Sequence, residues 1–153
     1  MAVSIKSARE IDLMRESCKL LADVFYNLEQ AVKPGISTME INQLGDKLIR
    51  AHGCVPNFLN YNGYPASICT SVNEEVVHGI PKKSRILKEG DIVSLDAGLI
   101  YKGYHSDMAR TFPVGKVSEE ATLLMERTKQ SFFEGIKMAK DGNHLHDISN
   151  AID

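Results

Sequence analysis

The sequence has few cysteines and no long apolar run. Its three cysteines, Cys18, Cys54 and Cys69, are odd in number and widely spaced, which excludes a disulfide framework or a zinc knuckle and favours reduced, buried thiols. No apolar segment approaches the roughly 20 residues that span a bilayer, and the first ten residues lack the apolar core of a signal peptide. We therefore expect a cytoplasmic protein with no membrane partner.

Excess charge of one sign is also absent. The net charge is −2, and no basic run exceeds Lys82-Lys83, so the sequence carries no signal for nucleic-acid binding. A composition of 43% hydrophobic and 25% charged residues in a 153-residue chain is that of a globular protein with one core. We expect one domain or part of one, with small molecules or peptides as ligands.

Three helices are predicted from capping residues and apolar periodicity. Residues 7–10 (SARE) form a capping box that begins a long helix, which ends at 33–35. A second capping box at 37–40 begins a helix that His52-Gly53 closes, and a third helix runs from the cap Ser118 to about Lys140. The inward stripe of the first helix comprises Ile11, Met14, Cys18, Leu21, Phe25, Leu28 and Val32.

Short strands follow the second helix. The β-branched run at 68–72 and the pair Val76-Val77 are typical of strands, with Asn73-Glu74 as their connection. An apolar run at 92–100 and a segment from about 104 to 114 are typical of a β-hairpin.

Each arm of this hairpin carries an aspartate, Asp96 in the first and Asp107 in the second. A turn at Tyr101-Lys102 places them directly opposite each other, and a turn at Lys102-Gly103 places them diagonally. Both registers put the two side chains on one sheet face. Like charges roughly 5 Å apart repel, so the pair needs either a surface location or a bound cation.

The residues before Asp96 favour the cation. Ile92, Val93 and Leu95 show no matching polar alternation, so both faces of this arm are expected to be buried. A buried carboxylate without a partner is costly, and divalent cations are the usual partners of paired carboxylates. We interpret Asp96 and Asp107 as half of a metal site.

An internal repeat is visible at a constant offset of 107 residues. Residues 25–41 align without gaps on residues 132–148, with matched phenylalanines, lysines and glycines. Helix amphipathicity alone produces some such matches, so duplication and chance similarity both stay open. A real duplication would give a first repeat at about 7–115 and a second that begins at about 118–153, completed by on the order of a hundred further residues.

Three further motifs are specific, namely 62–65 (NGYP), 71–81 (SVNEEVVHGIP) and 90–93 (GDIV), and the two aspartates have ten residues between them. With these motifs the chain resembles, from Ser7 onward, a type I methionine aminopeptidase of the creatinase/aminopeptidase family. This resemblance implies the α+β pita-bread fold, with an antiparallel sheet, helices packed on one face and an incomplete second half. Residues 1–153 would then be a single incomplete catalytic domain.

The resemblance also implies roles for individual side chains. Asp96 becomes a ligand of one metal ion and Asp107 a ligand that bridges two. His78 becomes the catalytic histidine, which hydrogen-bonds the scissile peptide group of the substrate. The pocket for the methionine side chain is lined by Phe58, Tyr61, Tyr64 and Cys69, with Phe58 at a position where some members have cysteine.

The implied activity is metal-dependent removal of the N-terminal methionine from nascent proteins and peptides, with a preference for a small second residue. The implied cofactors are two divalent metal ions. Carboxylates and imidazole suit Co, Mn, Fe and Zn alike, so the metal stays open. Peptides with N-terminal methionine and nascent chains are the implied partners, and the ribosome is an open further one.

The chain departs from the family in its metal ligands. The family's other three ligands, one histidine and two glutamates, match no position here, so the 153-residue chain alone is expected to be inactive. Uncovered strand edges are expected to favour its self-association. The alternative function is a non-catalytic module of the same fold that binds peptides or proteins.

The remaining histidines are not predicted to be metal ligands. His105 lies two residues before Asp107 and can reach a metal, but a solvated or hydrogen-bonded hairpin histidine is favoured. His144 and His146 are expected at a helix start, and His52 at a helix end, where a cation is favoured.

Overall fold

The computed structural model describes residues 4–153, and two helices, α1 (Ala8–Ala31) and α2 (Thr38–Ala51), come first. Both begin at the predicted capping boxes. In each box a serine hydroxyl accepts the N–H of the glutamate three residues later, and that glutamate accepts the N–H of the serine. Helix α1 stops shortly before the predicted 33–35 segment, and His52 caps the end of α2 as expected.

One antiparallel sheet follows, with strand β3 at its centre. β3 pairs with β4 along one edge and with both β1 and β2 along the other. The predicted strand at 68–72 and the predicted hairpin are confirmed. The strands are β1 (Val55–Pro56), β2 (Ile68–Val72), β3 (Ile92–Tyr101) and β4 (Tyr104–Pro113).

The predicted strand at Val76-Val77 is wrong. Both side chains lie in an exposed loop, where Val76 is 86% exposed. The loop reaches the edge of β2 only afterwards, at Gly79, whose carbonyl accepts the N–H of Thr70. Within the described residues Val76 and Val77 pair with no strand, and β propensity alone does not make a strand without a pairing partner.

The hairpin turn lies at Lys102-Gly103, the second of the two registers left open above. Tyr101 pairs with Tyr104, and both turn residues have positive φ, 49° and 85°, as a tight two-residue hairpin turn of type I′ requires. Asp96 is therefore paired with Ala109, and Asp107 with Gly98.

The core lies between α1, α2 and one face of the sheet, as the resemblance implies. Phe25 and Leu28 of α1, Ile41 of α2, and Val93 and Leu95 of β3 are fully or almost fully buried there. Burial of this apolar area is the main stabilising contribution to the unit.

The predicted stripe of α1 is wrong in its first turns. Cys18 is exposed, and Ile11 and Met14 are only partly covered. Ser17 faces the sheet instead, and its hydroxyl donates to that of Ser106 at 2.9 Å. The expectation of three buried thiols therefore fails for Cys18, while Cys54 and Cys69 are buried.

Residues from Val117 onward form a separate compact unit of two helices, α3 (Glu119–Met138) and α4 (Leu145–Ile152). Ser118 caps α3 as predicted, and its hydroxyl accepts the N–H of Ala121. His144 is the N-cap of α4, the helix-start position expected for it. No helix within residues 4–153 is long and apolar enough to cross a membrane.

The two helix connections match at the offset of 107 residues. Gly35 and Gly142 share a left-handed backbone, with φ of 93° and 87°. The N-caps of α2 and α4, Ser37 and His144, are offset equally, and the N–H of each donates to a carboxylate three residues on. The duplication stays a prediction, and these matched caps support it.

Val93→Ala should lower the free energy of unfolding by about 2 kcal/mol, because it removes buried methyl groups and leaves a cavity. Val76→Ala is the matched control. Its side chain is exposed, so a change below about 0.5 kcal/mol is expected. Urea unfolding followed by circular dichroism measures both, and equal midpoints for the two variants would contradict this placement of the core.

Candidate metal centre

The sheet face opposite the helices carries Asp96 and Asp107. Side chains alternate along β3, so Val93 and Leu95 enter the core and Asp96 points to the other side. Asp96 is half-buried and Asp107 is exposed. The expectation that both faces of the first arm are buried is therefore wrong, because α1 and α2 cover only one of them.

The electrostatics of this pair are unfavourable when both groups are ionised. The Oδ1 atom of Asp96 is buried and has no hydrogen-bond partner among the described residues. Burial raises the pKa of Asp96, the charge of Asp107 raises it further, and the charge of His78 lowers it. Desolvation by the surrounding protein atoms also raises the pKa of Asp107. Each carboxylate therefore gains from a proton or a cation.

A divalent metal ion fits these observations. Two carboxylates on one face supply the oxygen ligands that hard and borderline cations bind, and Asp96 presents a buried oxygen that no group of residues 4–153 satisfies. Residues 4–153 bring together no group of three or more His, Cys, Asp and Glu side chains that could hold a metal ion. Asp96 and Asp107 therefore account for only part of a coordination sphere.

His78 lies beside this face. It is exposed on the loop after β2, close enough for its charge to lower the pKa of Asp96. Its φ of 58° is in the left-handed region, which residues other than glycine adopt at a cost of about 1–3 kcal/mol. Such strain in a loop beside two carboxylates is typical of a functional position.

Two of the predicted pocket residues lie next to Asp96. Cys69 of β2 is its cross-strand partner, and Tyr64 is near enough to Cys69 for each to affect the other's pKa. Burial, chiefly, raises the pKa of Tyr64, so its hydroxyl stays protonated and can donate a hydrogen bond. Burial also raises the pKa of the Cys69 thiol, which keeps the thiol neutral.

The other two predicted pocket residues are less enclosed. Phe58 is half-buried, and Tyr61 is 69% exposed in a short 3₁₀ helix (Tyr61–Gly63). Their role in the pocket stays a prediction.

His105 is hydrogen-bonded, as favoured above. Its Nδ1 atom lies 3.0 Å from Oδ1 of Asn57. Sequence reasoning missed Asn57, and it also missed Ser71, whose hydroxyl accepts the N–H of Gly79 at 3.0 Å. The available signal for Ser71 was a hydroxyl within a β-branched run that is predicted to be a strand and is found to be a buried one.

Asp96→Asn should make the metal-free chain more stable at pH 7. The raised pKa of Asp96 means that the folded state binds the proton more tightly than the unfolded state does. Its contribution to stability is therefore complete below the ordinary aspartate pKa of about 3.9 and is lost as the pH rises through the folded-state pKa. Because asparagine does not ionise, the advantage of the variant should shrink toward pH 3.

Asp12→Asn is the control for this experiment, because Asp12 lies on the surface in an exposed pair with Arg15. It should change the stability little at either pH. The measurement is urea unfolding in chelator at pH 7 and pH 3. A loss of stability for Asp96→Asn at pH 7 would show that a protein group already compensates the charge of Asp96.

Comparison with known proteins places the chain in a family. Metallopeptidase family M24 matches residues 12–153. The methionine aminopeptidase of Clostridium acetobutylicum is 49% identical over 150 residues, which are 98% of this chain and 60% of that protein. Methionine aminopeptidase 1 of Bacillus subtilis is 47% identical over 147 residues, 96% of this chain and 59% of that protein.

A solved structure agrees. The crystal structure of methionine aminopeptidase from Rickettsia prowazekii superposes with a TM-score of 0.96 at 36% identity, over 99% of this chain and 60% of that one. The fold is thus the pita-bread fold of these enzymes, and the chain spans about three fifths of the length of the relatives it matches. Because the family match covers nearly all of its residues, this chain belongs to metallopeptidase family M24.

Proposed function

We propose that the protein to which this chain belongs removes the N-terminal methionine from peptides and nascent proteins, using divalent metal ions held in part by Asp96 and Asp107. The observation that carries the proposal is the buried Oδ1 of Asp96, which has no hydrogen-bond partner in the described part of the chain and lies on one sheet face with a second carboxylate. The identity to methionine aminopeptidases supports the choice of reaction.

When bound, the metal ions supply Lewis acidity toward the peptide carbonyl and lower the pKa of a bound water. Asp96 and Asp107 hold them at the face of the β3–β4 hairpin. His78, beside Asp96, donates a hydrogen bond to the scissile peptide group, and this bond strengthens as negative charge develops on the carbonyl oxygen.

The methionine side chain is accommodated beside the carboxylates. The neutral thiol of Cys69 and the ring of Tyr64 offer polarisable contacts there, with Phe58 and Tyr61 as further proposed walls. Contacts of a thioether with aromatic rings contribute about 0.3–1.5 kcal/mol each. This pocket is the proposed basis for the choice of methionine, and a small second residue is part of the same proposal.

The proposal includes two metal ions in the complete site, each one of Co, Mn, Fe or Zn. It also includes action in the cytoplasm on nascent chains, with the ribosome as an open partner. Self-association of the 153-residue chain is proposed from its exposed apolar side chains, among them Phe132, Phe133 and Ile136.

The alternative of a non-catalytic binding module receives less support. Peptide binding alone does not require two carboxylates with raised pKa values on one sheet face, one of them with a buried oxygen that none of the described residues hydrogen-bonds. Such a pair destabilises the fold unless it binds a proton or a cation.

In a protein that carries this chain and the further residues present in its relatives, Asp107→Asn should lower kcat/KM for a Met-Ala-Ser peptide by at least about a hundredfold, because it removes a charged metal ligand. Asp12→Asn, a surface carboxylate change, should leave kcat/KM unchanged. Release of free methionine with added Mn²⁺ or Co²⁺ is the measurement. Equal activities of the two variants would contradict the assignment of Asp107.

The 153-residue polypeptide alone should release no methionine from the same peptide, since its described residues supply only part of a metal site. Calorimetric titration with Mn²⁺ should show only weak binding, with loss of binding in Asp96→Asn. Measurable turnover by the pure polypeptide, retained through gel filtration, would show that these residues suffice for catalysis.

A further inference from the structure

Gly79, the residue after His78, is fixed against the edge of strand β2. Its N–H donates to Oγ of Ser71 at 3.0 Å, and its carbonyl accepts the N–H of Thr70 at 2.8 Å. The hydroxyl of Tyr64 lies 3.1 Å from the same carbonyl oxygen and donates to it. Both backbone polar groups of Gly79 are therefore satisfied by residues of β2 or by Tyr64.

The approach of Gly79 to β2 is closer than a side chain permits. A Cβ atom at this position would lie 2.3 Å from the carbonyl oxygen of Thr70 and 2.8 Å from Cα of Ser71. The contact is therefore specific to glycine, and the hydrogen bonds hold the backbone at one distance from the strand.

This contact lies directly beside the strained backbone of His78. A left-handed conformation at a residue other than glycine persists only where the surrounding structure enforces it. The loop before Gly79 is exposed from Asn73 to His78. The bonds to Gly79 are thus a fixed point one residue away from His78, and they restrain the backbone that carries its imidazole.

Tyr64 connects this fixed point to the proposed methionine pocket. Its hydroxyl has one hydrogen, and a second acceptor, the carbonyl oxygen of Ile68, lies at 3.3 Å, slightly farther away than that of Gly79. A shift of the ring would change which of these two carbonyls receives the bond. Under the proposed function, Tyr64 would contact the bound methionine and also hold the backbone beside His78.

We propose that Tyr64 and Ser71 are positioning residues for His78, and that Tyr64 couples filling of the methionine pocket to the placement of this histidine. The identity of the substrate in this inference rests on the proposed function. The positioning of His78 rests only on the hydrogen bonds and the close contact of Gly79.

The kinetic test uses an active protein that carries this chain. Tyr64→Phe keeps the ring and removes only the hydroxyl, so kcat for a methionyl peptide should fall about tenfold or more with little change in KM, as expected for a contact realised in the transition state. Ser71→Ala should give the same split, and Ser71→Thr, which keeps a hydroxyl, should restore kcat.

Matched controls separate positioning from the general loss of a hydroxyl. Tyr104→Phe removes a hydroxyl that donates to Glu10. Thr111→Val removes one that pairs with Ser94 on β3. Both should leave kcat within about twofold, because neither side chain bonds to the backbone beside His78.

The second readout needs neither metal nor activity. In the 153-residue chain, amide hydrogen exchange measured by NMR should accelerate at Gly79 by about fivefold or more in Ser71→Ala, because the acceptor of this N–H is lost. The exchange of Thr70 should accelerate in Tyr64→Phe, and Tyr104→Phe should leave both amides unchanged. Unchanged amides elsewhere in β2 and β3 show that the variants are folded.

The two readouts distinguish the possible failures. Faster exchange at Gly79 in a protein that cleaves no methionyl peptide would support the positioning and contradict the proposed function. An active protein in which Tyr64→Phe and Ser71→Ala change neither kcat nor exchange at these amides would overturn the positioning. An equal fall in kcat in Tyr64→Phe and in the control Tyr104→Phe would also overturn it, because the effect would then come from the loss of any hydroxyl.

Discussion

The repulsion between two aspartates on one hairpin is the constraint on which the site depends. Asp96 and Asp107 are diagonal neighbours because the turn falls at Lys102-Gly103 and pairs Asp107 with Gly98. A shift of either strand by one residue would send its aspartate to the sheet face that packs on α1 and α2, where burial of a charged carboxylate is costly. The register that buries Val93 and Leu95 is therefore also the register that brings the carboxylates together.

The packing of α1 and α2 on the sheet compensates for the repulsion between Asp96 and Asp107. One face of the sheet is covered by α1 and α2, and the burial of that face offsets the cost of the two carboxylates on the other. The polar face also has hydrogen bonds between its side chains, such as the one that Oδ1 of Asn57 accepts from Nδ1 of His105. Among the described residues two buried side-chain oxygens have no hydrogen-bond partner, Oγ1 of Thr70 and Oδ1 of Asp96, and only the second belongs to a carboxylate, which is why the proposal places a metal ion at Asp96.

Local chemistry made much of the fold predictable. Capping boxes at Ser7 and Ser37 have a fixed sequence form, and both helices begin there. The shared face of Asp96 and Asp107 was predictable because both turn positions preserve it, but the register was not, since Lys102 has to adopt positive φ against its preference. Long-range contacts account for the other misses, as in α1, where the buried bond of Ser17 to Ser106 shifts the inward stripe away from Cys18.

Two glycines show how the site is built by close approach. Gly79 and Gly98 both lack a left-handed backbone, so conformational freedom does not explain them. A Cβ at Gly98 would lie 3.0 Å from the side chain of Asn57, and one at Gly79 would lie 2.3 Å from the carbonyl of Thr70. Each glycine thus admits a neighbour that fixes a histidine, Asn57 for His105 and the edge of β2 for His78. The lack of a side chain at Gly79 and Gly98 therefore helps to determine the geometry around the carboxylates.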